Sequence, residues 1–140
     1  MYAAANAVFS RTKYVSAVVK LSLIDAYVLP LEAVSLSRGQ YDELSVCWNN
    51  LFRRIFNMHK WDSVKALQYY CDSLDFARLC DLRRLRFLRK ISASRNVALK
   101  ECFYRTDVDY LCYEYNVNFS LSLSVINHSV YRNFGDICGM

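Results

Sequence analysis

Residues 37–55 read SRGQYDELSVCWNNLFRRI, and this stretch decides the fold class. Ser37 and Gln40 have the spacing of a capping box, in which the serine oxygen accepts from the third amide and the glutamine reaches back to the start of the helix. Six apolar residues then recur at helical spacing and form one stripe: Leu44, Cys47, Trp48, Leu51, Phe52 and Ile55. We therefore predict a capped helix with one apolar face.

The rest of the chain also has the composition and the start signals of a helical protein. Only three glycines and one proline punctuate 140 residues, whereas all-β folds need many turns. Pro30 is predicted to end a buried helix that starts near residue 15. Helix start signals follow at five further places: Asp62 or Ser63, Asp75, Ser94, Asp107, and Ser122 or Ser124. We predict an all-α fold, an irregular bundle of about six to seven helices joined by short loops, although residues 118–124 alternate in polarity and also fit a strand.

Composition limits the class of protein. Hydrophobic residues make up 54% of the chain and charged residues 22%, which is typical of a folded domain rather than a disordered one. The twenty-one aromatic rings are expected to fill the core. No two of the six cysteines have the short spacing of a zinc finger, and no convincing secretory signal is present. We expect reduced, buried thiols in a cytoplasmic or nuclear protein.

The N-terminal segment raises two questions of targeting. Arg11, Lys13 and Lys20 precede the first acidic residue, Asp25, and this distribution also occurs in mitochondrial presequences. The alternative, which we prefer, is an ordinary pair of amphipathic helices. Residues 17–36 contain too many charges, and a proline, to span a bilayer, so no membrane association is predicted.

The sequence offers little for catalysis. His59 and His128 cannot be placed beside a nucleophile, and no phosphate-binding, hydrolase or dinucleotide motif occurs. Asp107 and Asp109 could share a cation, but charge complementing a helix N-terminus explains them better. Residues 70–73, YCDS, lack the second aspartate of a polymerase metal pair. We predict that the chain is not an enzyme, with no catalytic residue, no metal site and no cofactor.

Positive charge is concentrated in the middle of the chain. Residues 53–105 carry thirteen basic and five acidic residues, while the segments before and after them are neutral or acidic. On a helical wheel from residue 75, five basic residues share one half with Leu79 and Leu82: Arg78, Arg83, Arg86, Arg89 and Lys90. Arg84 alone falls on the apolar half. Such a face can contact a phosphate backbone independently of base sequence, and Arg53 and Arg54, with Lys60 and Lys65, could extend it. The alternative is a solvated face whose arginines pair with acids elsewhere in the fold.

Several segments of the chain, taken together, resemble a region of a known protein family. They are residues 2–9 (YAAANAVF), 13–15 (KYV), 29–30 (LP) followed by 32–33 (EA), 47–56 (CWNNLFRRIF), 61–64 (WDSV) and 81–88 (DLRRLRFL). In this order and spacing they resemble the region that follows the palm in LINE-type, non-LTR retrotransposon reverse transcriptases, which are RNA-directed DNA polymerases. The similarity covers residues 2–91 well and the remainder loosely, and no single motif is diagnostic.

The resemblance implies a function without catalysis. In that family this region is a helical thumb and linker that help to grip the template–primer duplex, while the catalytic aspartates lie in the preceding palm. It therefore implies a thumb-like region over residues 1–91, a short helical tail over 92–140 packed on it, and RNA or an RNA–DNA duplex as the partner. The chain departs from the pattern where Leu31 alone separates Pro30 from Glu32, and the family's distal Cys/His knuckle is absent.

Two other readings of the sequence remain open. The chain could be a helical protein–protein interaction module that uses the apolar stripe of residues 44–55 for self-association or for a helical partner. It could also be a translated relic that has no function.

Overall fold

A computed structural model describes residues 2–11, 14–28, 36–104 and 109–139 of the chain. Eight α-helices occupy these residues: α1 (Tyr2–Arg11), α2 (Ala17–Val28), α3 (Arg38–Ile55), α4 (Lys65–Tyr70), α5 (Phe76–Ser92), α6 (Val97–Tyr104), α7 (Asp109–Tyr115) and α8 (Leu123–Cys138). No strand is found in those ranges, so the all-α prediction is confirmed. Residues 118–122, which also fitted a strand, form the turn before α8.

The capping box predicted for α3 is present. The amide of Gln40 donates to Ser37 Oγ at 3.3 Å, and the amide of Ser37 donates to Gln40 Oε1 at 3.0 Å. Four residues of the predicted stripe are buried in the chain: Cys47, Trp48, Leu51 and Phe52. The other two residues of the stripe, Leu44 and Ile55, are half-buried.

The start of α4 differs from the prediction. Val64 occupies the position before the helix, and no side chain caps it. The Asp62 carboxylate instead accepts from the backbone amide of His59 at 2.9 Å. Capping by Asp62 or Ser63 was therefore a wrong prediction, because the aspartate forms its hydrogen bond within the preceding loop.

The later helices begin close to where the start signals lie. Helix α5 follows Asp75 directly, and Asn96, rather than Ser94, accepts from an amide of α6, that of Ala98, at 2.9 Å. Ser122 caps α8 by accepting from the Val125 amide, and that helix ends at Gly139 in the left-handed conformation. The predicted start at Asp107 and the predicted stop at Pro30 lie outside the described residues.

The chain divides into two compact units, residues 1–76 and 77–140. The boundary expected at residues 91 and 92 was drawn from the family resemblance and stays a prediction. In the first unit, α1 lies against α2, and the buried indole of Trp48 donates to the Leu74 carbonyl at 3.0 Å. Gln68 is fully buried, and its amide donates to Asn49 Oδ1 at 3.1 Å. The first hydrogen bond joins α3 to the segment that precedes α5, and the second joins α3 to α4.

The second unit contains nearly all of α5 together with α6, α7 and α8. Helix α7 contacts α8. Buried side chains come from all three of α5, α7 and α8, and they include Leu82, Leu85, Leu111, Val130 and Phe134. This core sets the position of α8 relative to α5, which carries the concentrated positive charge.

None of the helices in the described ranges combines the length and apolar character needed to cross a membrane.

Candidate nucleic-acid interface

Helix α5 carries six basic residues and one acidic residue, but most of its residues are at least partly buried. Every position of it is buried or half-buried except Arg84 and Lys90, which are exposed. Leu79 and Leu82, which the helical wheel placed among the basic residues, are both buried. The half of the wheel that carries the basic residues is therefore partly buried, and α5 is covered on most of its circumference.

Three arginines of α5 are hydrogen-bonded to α8 and to the turn before it. Arg78 Nε donates to Asn133 Oδ1 at 3.0 Å, and Arg86 Nε donates to Asn127 Oδ1 at 3.0 Å. Arg89 Nε donates to the backbone carbonyl of Leu121 at 2.6 Å. As the residue number rises along α5, the partner's number falls, so the two helices run antiparallel with this arginine row between them.

The partners of Arg86 and Arg89 are neutral. An asparagine amide oxygen and a backbone carbonyl oxygen satisfy a donor without cancelling the charge of the guanidinium group. The sequence had offered two alternatives, contact with phosphate or pairing with acids of the fold. For these two arginines the structure has a third arrangement among the described residues, because neutral oxygens of the fold hold them and their charge is retained.

The same two guanidinium groups keep donors to spare. Arg86 uses only Nε in its contact with α8, and Arg89 uses only Nε in its contact with the turn before α8. The Nη nitrogens of both form no further hydrogen bond with the described residues. The Nη nitrogens carry most of the N–H donors of an arginine, in a planar arrangement that matches a phosphate or carboxylate. Exposed Lys90 is the residue that follows Arg89 and lies one turn from Arg86.

The other arginines of α5 lie in different surroundings. Arg78 is also close to the ring of Phe134, with its Cζ 5.8 Å from the ring centroid. Arg83 is half-buried and engaged in contacts of its own. Arg84 is exposed, although the wheel had placed it on the apolar half. Only part of the predicted basic face therefore presents unused donors.

Arg53 and Arg54 belong to the first unit, and both form hydrogen bonds there. Arg53 donates through Nε and Nη2 to the Asp62 carbonyl, at 3.2 and 3.0 Å, and through Nη1 to Asn50 Oδ1 at 3.0 Å. Arg54 Nη1 donates to Asn6 Oδ1 at 2.7 Å, which connects α3 to α1. Arg53 therefore braces the loop after α3, which is a structural role.

The single acid of α5 lies beside Tyr115. The tyrosine hydroxyl donates to Asp81 Oδ2 at 2.6 Å. Burial raises the pKa of the Asp81 carboxyl, and the hydrogen bond from Tyr115 and the charges of Arg78 and Arg84 only partly oppose that rise. Burial also raises the pKa of Tyr115 well above its ordinary value, and the hydrogen bond to Asp81 adds to the effect. This pair ties α5 to α7.

The remaining candidate groups for chemistry are metal-binding side chains and the histidines and cysteines of the sequence analysis. No cluster of three or more His, Cys, Asp or Glu residues there could hold a metal ion. His59 and His128 are both exposed, and Asp107 lies outside the ranges that are described. Among the described cysteines, Cys47 is buried, and four are half-buried: Cys71, Cys80, Cys112 and Cys138.

Sequence reasoning missed the asparagines that accept hydrogen bonds from the arginines of α5. It also missed that one aromatic ring is exposed. Asn127 and Asn133 carry no signal in the sequence, because their partners are 41 and 55 residues away. Trp61 was counted with the core-filling aromatics, yet it is 83% exposed. Its charged and polar neighbours in the sequence were the one available hint.

Comparisons with protein-family models, with curated proteins and with solved structures find no match for this chain. The resemblance to retrotransposon reverse transcriptases therefore rests on the quoted segments alone.

Proposed function

We propose that the chain is a non-catalytic, helical nucleic-acid-binding module that contacts the phosphate backbone of RNA or an RNA–DNA duplex independently of sequence. The contact residues in this proposal are Arg86, Arg89 and Lys90 on α5. The observation that carries it is the way in which Arg86 and Arg89 are held, by Nε, on neutral oxygens.

Holding an arginine by Nε favours phosphate recognition for two reasons. The two acceptors are neutral and do not cancel the positive charge, so the attraction to a polyanion is retained. The planar group is also fixed in one orientation before the ligand arrives, so less side-chain entropy is lost when two parallel N–H···O bonds form to a phosphate. Lys90 adds a mobile charge beside this fixed pair.

We further propose that the module derives from the thumb and post-thumb region of a non-LTR retrotransposon reverse transcriptase. The support is the serial order of the quoted segments, together with the family's use of this region to grip a duplex. In that proposal the module has no polymerase activity, and it acts in the cytoplasm or the nucleus, where its ligands are found. Palm-like coding sequence in the DNA upstream of Met1 would support this origin.

The binding proposal is tested by neutralising the three contacts. Arg86, Arg89 and Lys90 are changed together to Gln, and binding to a blunt RNA–DNA duplex is measured by fluorescence anisotropy over a range of salt concentrations. Each lost phosphate contact reduces the slope of log K against log salt by about 0.9, so we expect a reduction of roughly 2.7. Circular dichroism of the variant verifies that it is folded.

The matched control changes three exposed basic residues outside α5 to Gln: Arg38, Lys100 and Arg132. It removes the same charge, so a loss caused by net charge alone would appear equally in both variants. Equal slopes for the two variants, or absence of wild-type binding at low salt, would overturn the proposal. The alternative function as a protein–protein interaction module stays a prediction, and four of the six residues in the stripe proposed for it are buried.

A further inference from the structure

Trp61 is an exposed ring in the loop between α3 and α4. It is 83% exposed, whereas Trp48, the other tryptophan of the chain, is 1% exposed. Tryptophan is on average a well-buried residue, so a ring left in water calls for a reason. The five residues 59–63 are all exposed, and Trp61 is the one apolar side chain among them.

The loop that carries Trp61 is held in place by hydrogen bonds on both sides of the ring. On the C-terminal side, Arg53 donates twice to the Asp62 carbonyl, through Nε and Nη2. On the N-terminal side, the His59 amide donates to the Asp62 carboxylate, and the Asp62 amide returns a bond to the His59 carbonyl at 3.1 Å. The backbone around Trp61 is thus fixed, and the ring is presented outward from a braced loop.

One face of the Trp61 ring is covered by a cation. Lys60 Nζ lies 4.3 Å from the ring centroid, within the range of a cation–π contact. Because the side chain is still 83% exposed with the lysine in this position, the opposite face is open to solvent. The indole ring therefore has one face open to solvent and the Lys60 ammonium group on the other face.

We infer that Trp61 is a stacking platform for one unpaired base of single-stranded RNA or DNA, with Lys60 positioned for the adjacent phosphate. This inference rests on the proposed function, that the chain binds nucleic acid, and it specifies an unpaired segment as part of the ligand. A base inside a duplex is already stacked on both sides, so it offers no free face. Stacking on a single ring accepts any base, in keeping with binding that is independent of sequence.

The surroundings of the ring favour a small planar ligand over an apolar surface. A membrane or an apolar protein partner would bring hydrocarbon against the neighbours of Trp61, and those neighbours are the charged or polar residues of positions 59, 60, 62 and 63. Burying them without partners is unfavourable. A nucleobase covers only the ring, and the nucleotide's phosphate complements the lysine.

The experiment compares a 12-nucleotide oligouridine with a blunt RNA–DNA duplex of the same length, using tryptophan fluorescence and anisotropy. The variants are Trp61→Ala and Trp61→Phe, and the matched control is Tyr113→Ala, which removes a ring that is 90% exposed on α7. We expect oligouridine to quench the emission of Trp61 but not that of buried Trp48. Trp61→Ala should weaken oligouridine binding by roughly 5- to 150-fold.

Trp61→Phe should retain most of the single-strand affinity, Tyr113→Ala should match the wild type, and Trp61→Ala should bind the blunt duplex as the wild type does. Wild-type oligouridine affinity in Trp61→Ala would overturn the platform while leaving duplex binding intact. Trp61-dependent binding of oligouridine without duplex binding would instead overturn the duplex proposal. A blue shift of Trp61 emission on phosphatidylserine vesicles, with no quenching by oligouridine, would assign the ring to a lipid surface and overturn the inference.

Discussion

Replacing Arg86 and Arg89 together by lysine tests whether a fixed planar group, and not charge alone, gives the affinity of α5 for phosphate. Lysine keeps the positive charge but has neither the Nε donor that reaches α8 nor the planar pair of Nη nitrogens. The salt dependence of duplex binding should therefore stay as in the wild type, because the number of phosphate charges neutralised is unchanged. The affinity itself should fall.

The size of the fall follows from the donors that are lost. At each position one of two parallel hydrogen bonds to the phosphate disappears, and a hydrogen bond to a charged group is worth roughly 1.5 kcal/mol or more. That corresponds to about tenfold in affinity for each site. The two arginines are one helical turn apart and share a ligand, so their effects are not strictly additive. We expect a loss of roughly 10- to 100-fold for the double variant.

The double variant should also be less stable, since the bonds to Asn127 and to the Leu121 carbonyl are lost. At about 1 kcal/mol for each, the free energy of unfolding should fall by roughly 2 kcal/mol. Urea unfolding measures this, and anisotropy at several salt concentrations measures affinity and slope. The control is Arg84→Lys with Arg95→Lys, two exposed positions. Wild-type affinity in the Arg86 and Arg89 variant, or an equal loss in the control, would refute the reasoning.

Four further predictions concern stability and are measured by urea unfolding. Trp48→Phe removes the indole donor from the buried Leu74 carbonyl and should lower the free energy of unfolding by about 2–4 kcal/mol, from the unsatisfied acceptor and the cavity together; a loss below about 1 kcal/mol would contradict this. Ser37→Ala removes the capping oxygen of α3 and should lower it by about 1 kcal/mol, and an unchanged midpoint would show that the cap is dispensable. Burial raises the pKa of Asp81, so the folded chain holds its proton more tightly than the unfolded chain does. That contribution to stability is present below the ordinary aspartate pKa and is lost as the pH rises through the raised value, and Asp81→Asn should abolish this part of the pH dependence. Tyr115→Phe leaves the half-buried Asp81 carboxylate without its hydrogen bond and should destabilise the chain at neutral pH by about 2 kcal/mol.

The start of α3 and that of α8 could be predicted from the sequence because the interactions that fix them are local. Ser37 and Gln40 are three residues apart, and so are Ser122 and Val125. A hydrogen bond over that distance depends on few other parts of the chain. The same argument failed at Asp62, where a loop amide competed successfully for the carboxylate that was expected to cap α4.

The surroundings of α5 could not be predicted in the same way. A helical wheel gives the spacing of apolar and charged residues, but it does not say how many neighbours will cover the helix. Arginine is amphipathic, with an apolar stem and a polar end, so it tolerates the half-buried positions of Arg86 and Arg89 against α8. The exposed position of Trp61 was hidden from the sequence for a related reason, since ring type alone favours burial.

By itself, therefore, the sequence determined that this protein is built of helices, where most of them begin, and that its positive charge is gathered near α5. Those properties follow from hydrogen bonds and periodicity over a few residues. The tertiary structure alone decided which arginines are held through Nε on neutral oxygens, because the acceptors that hold them, Asn127 and the Leu121 carbonyl, lie 41 and 32 residues away along the chain. Contacts over such distances are set by how α5 and α8 pack, and that packing depends on the whole core of the second unit.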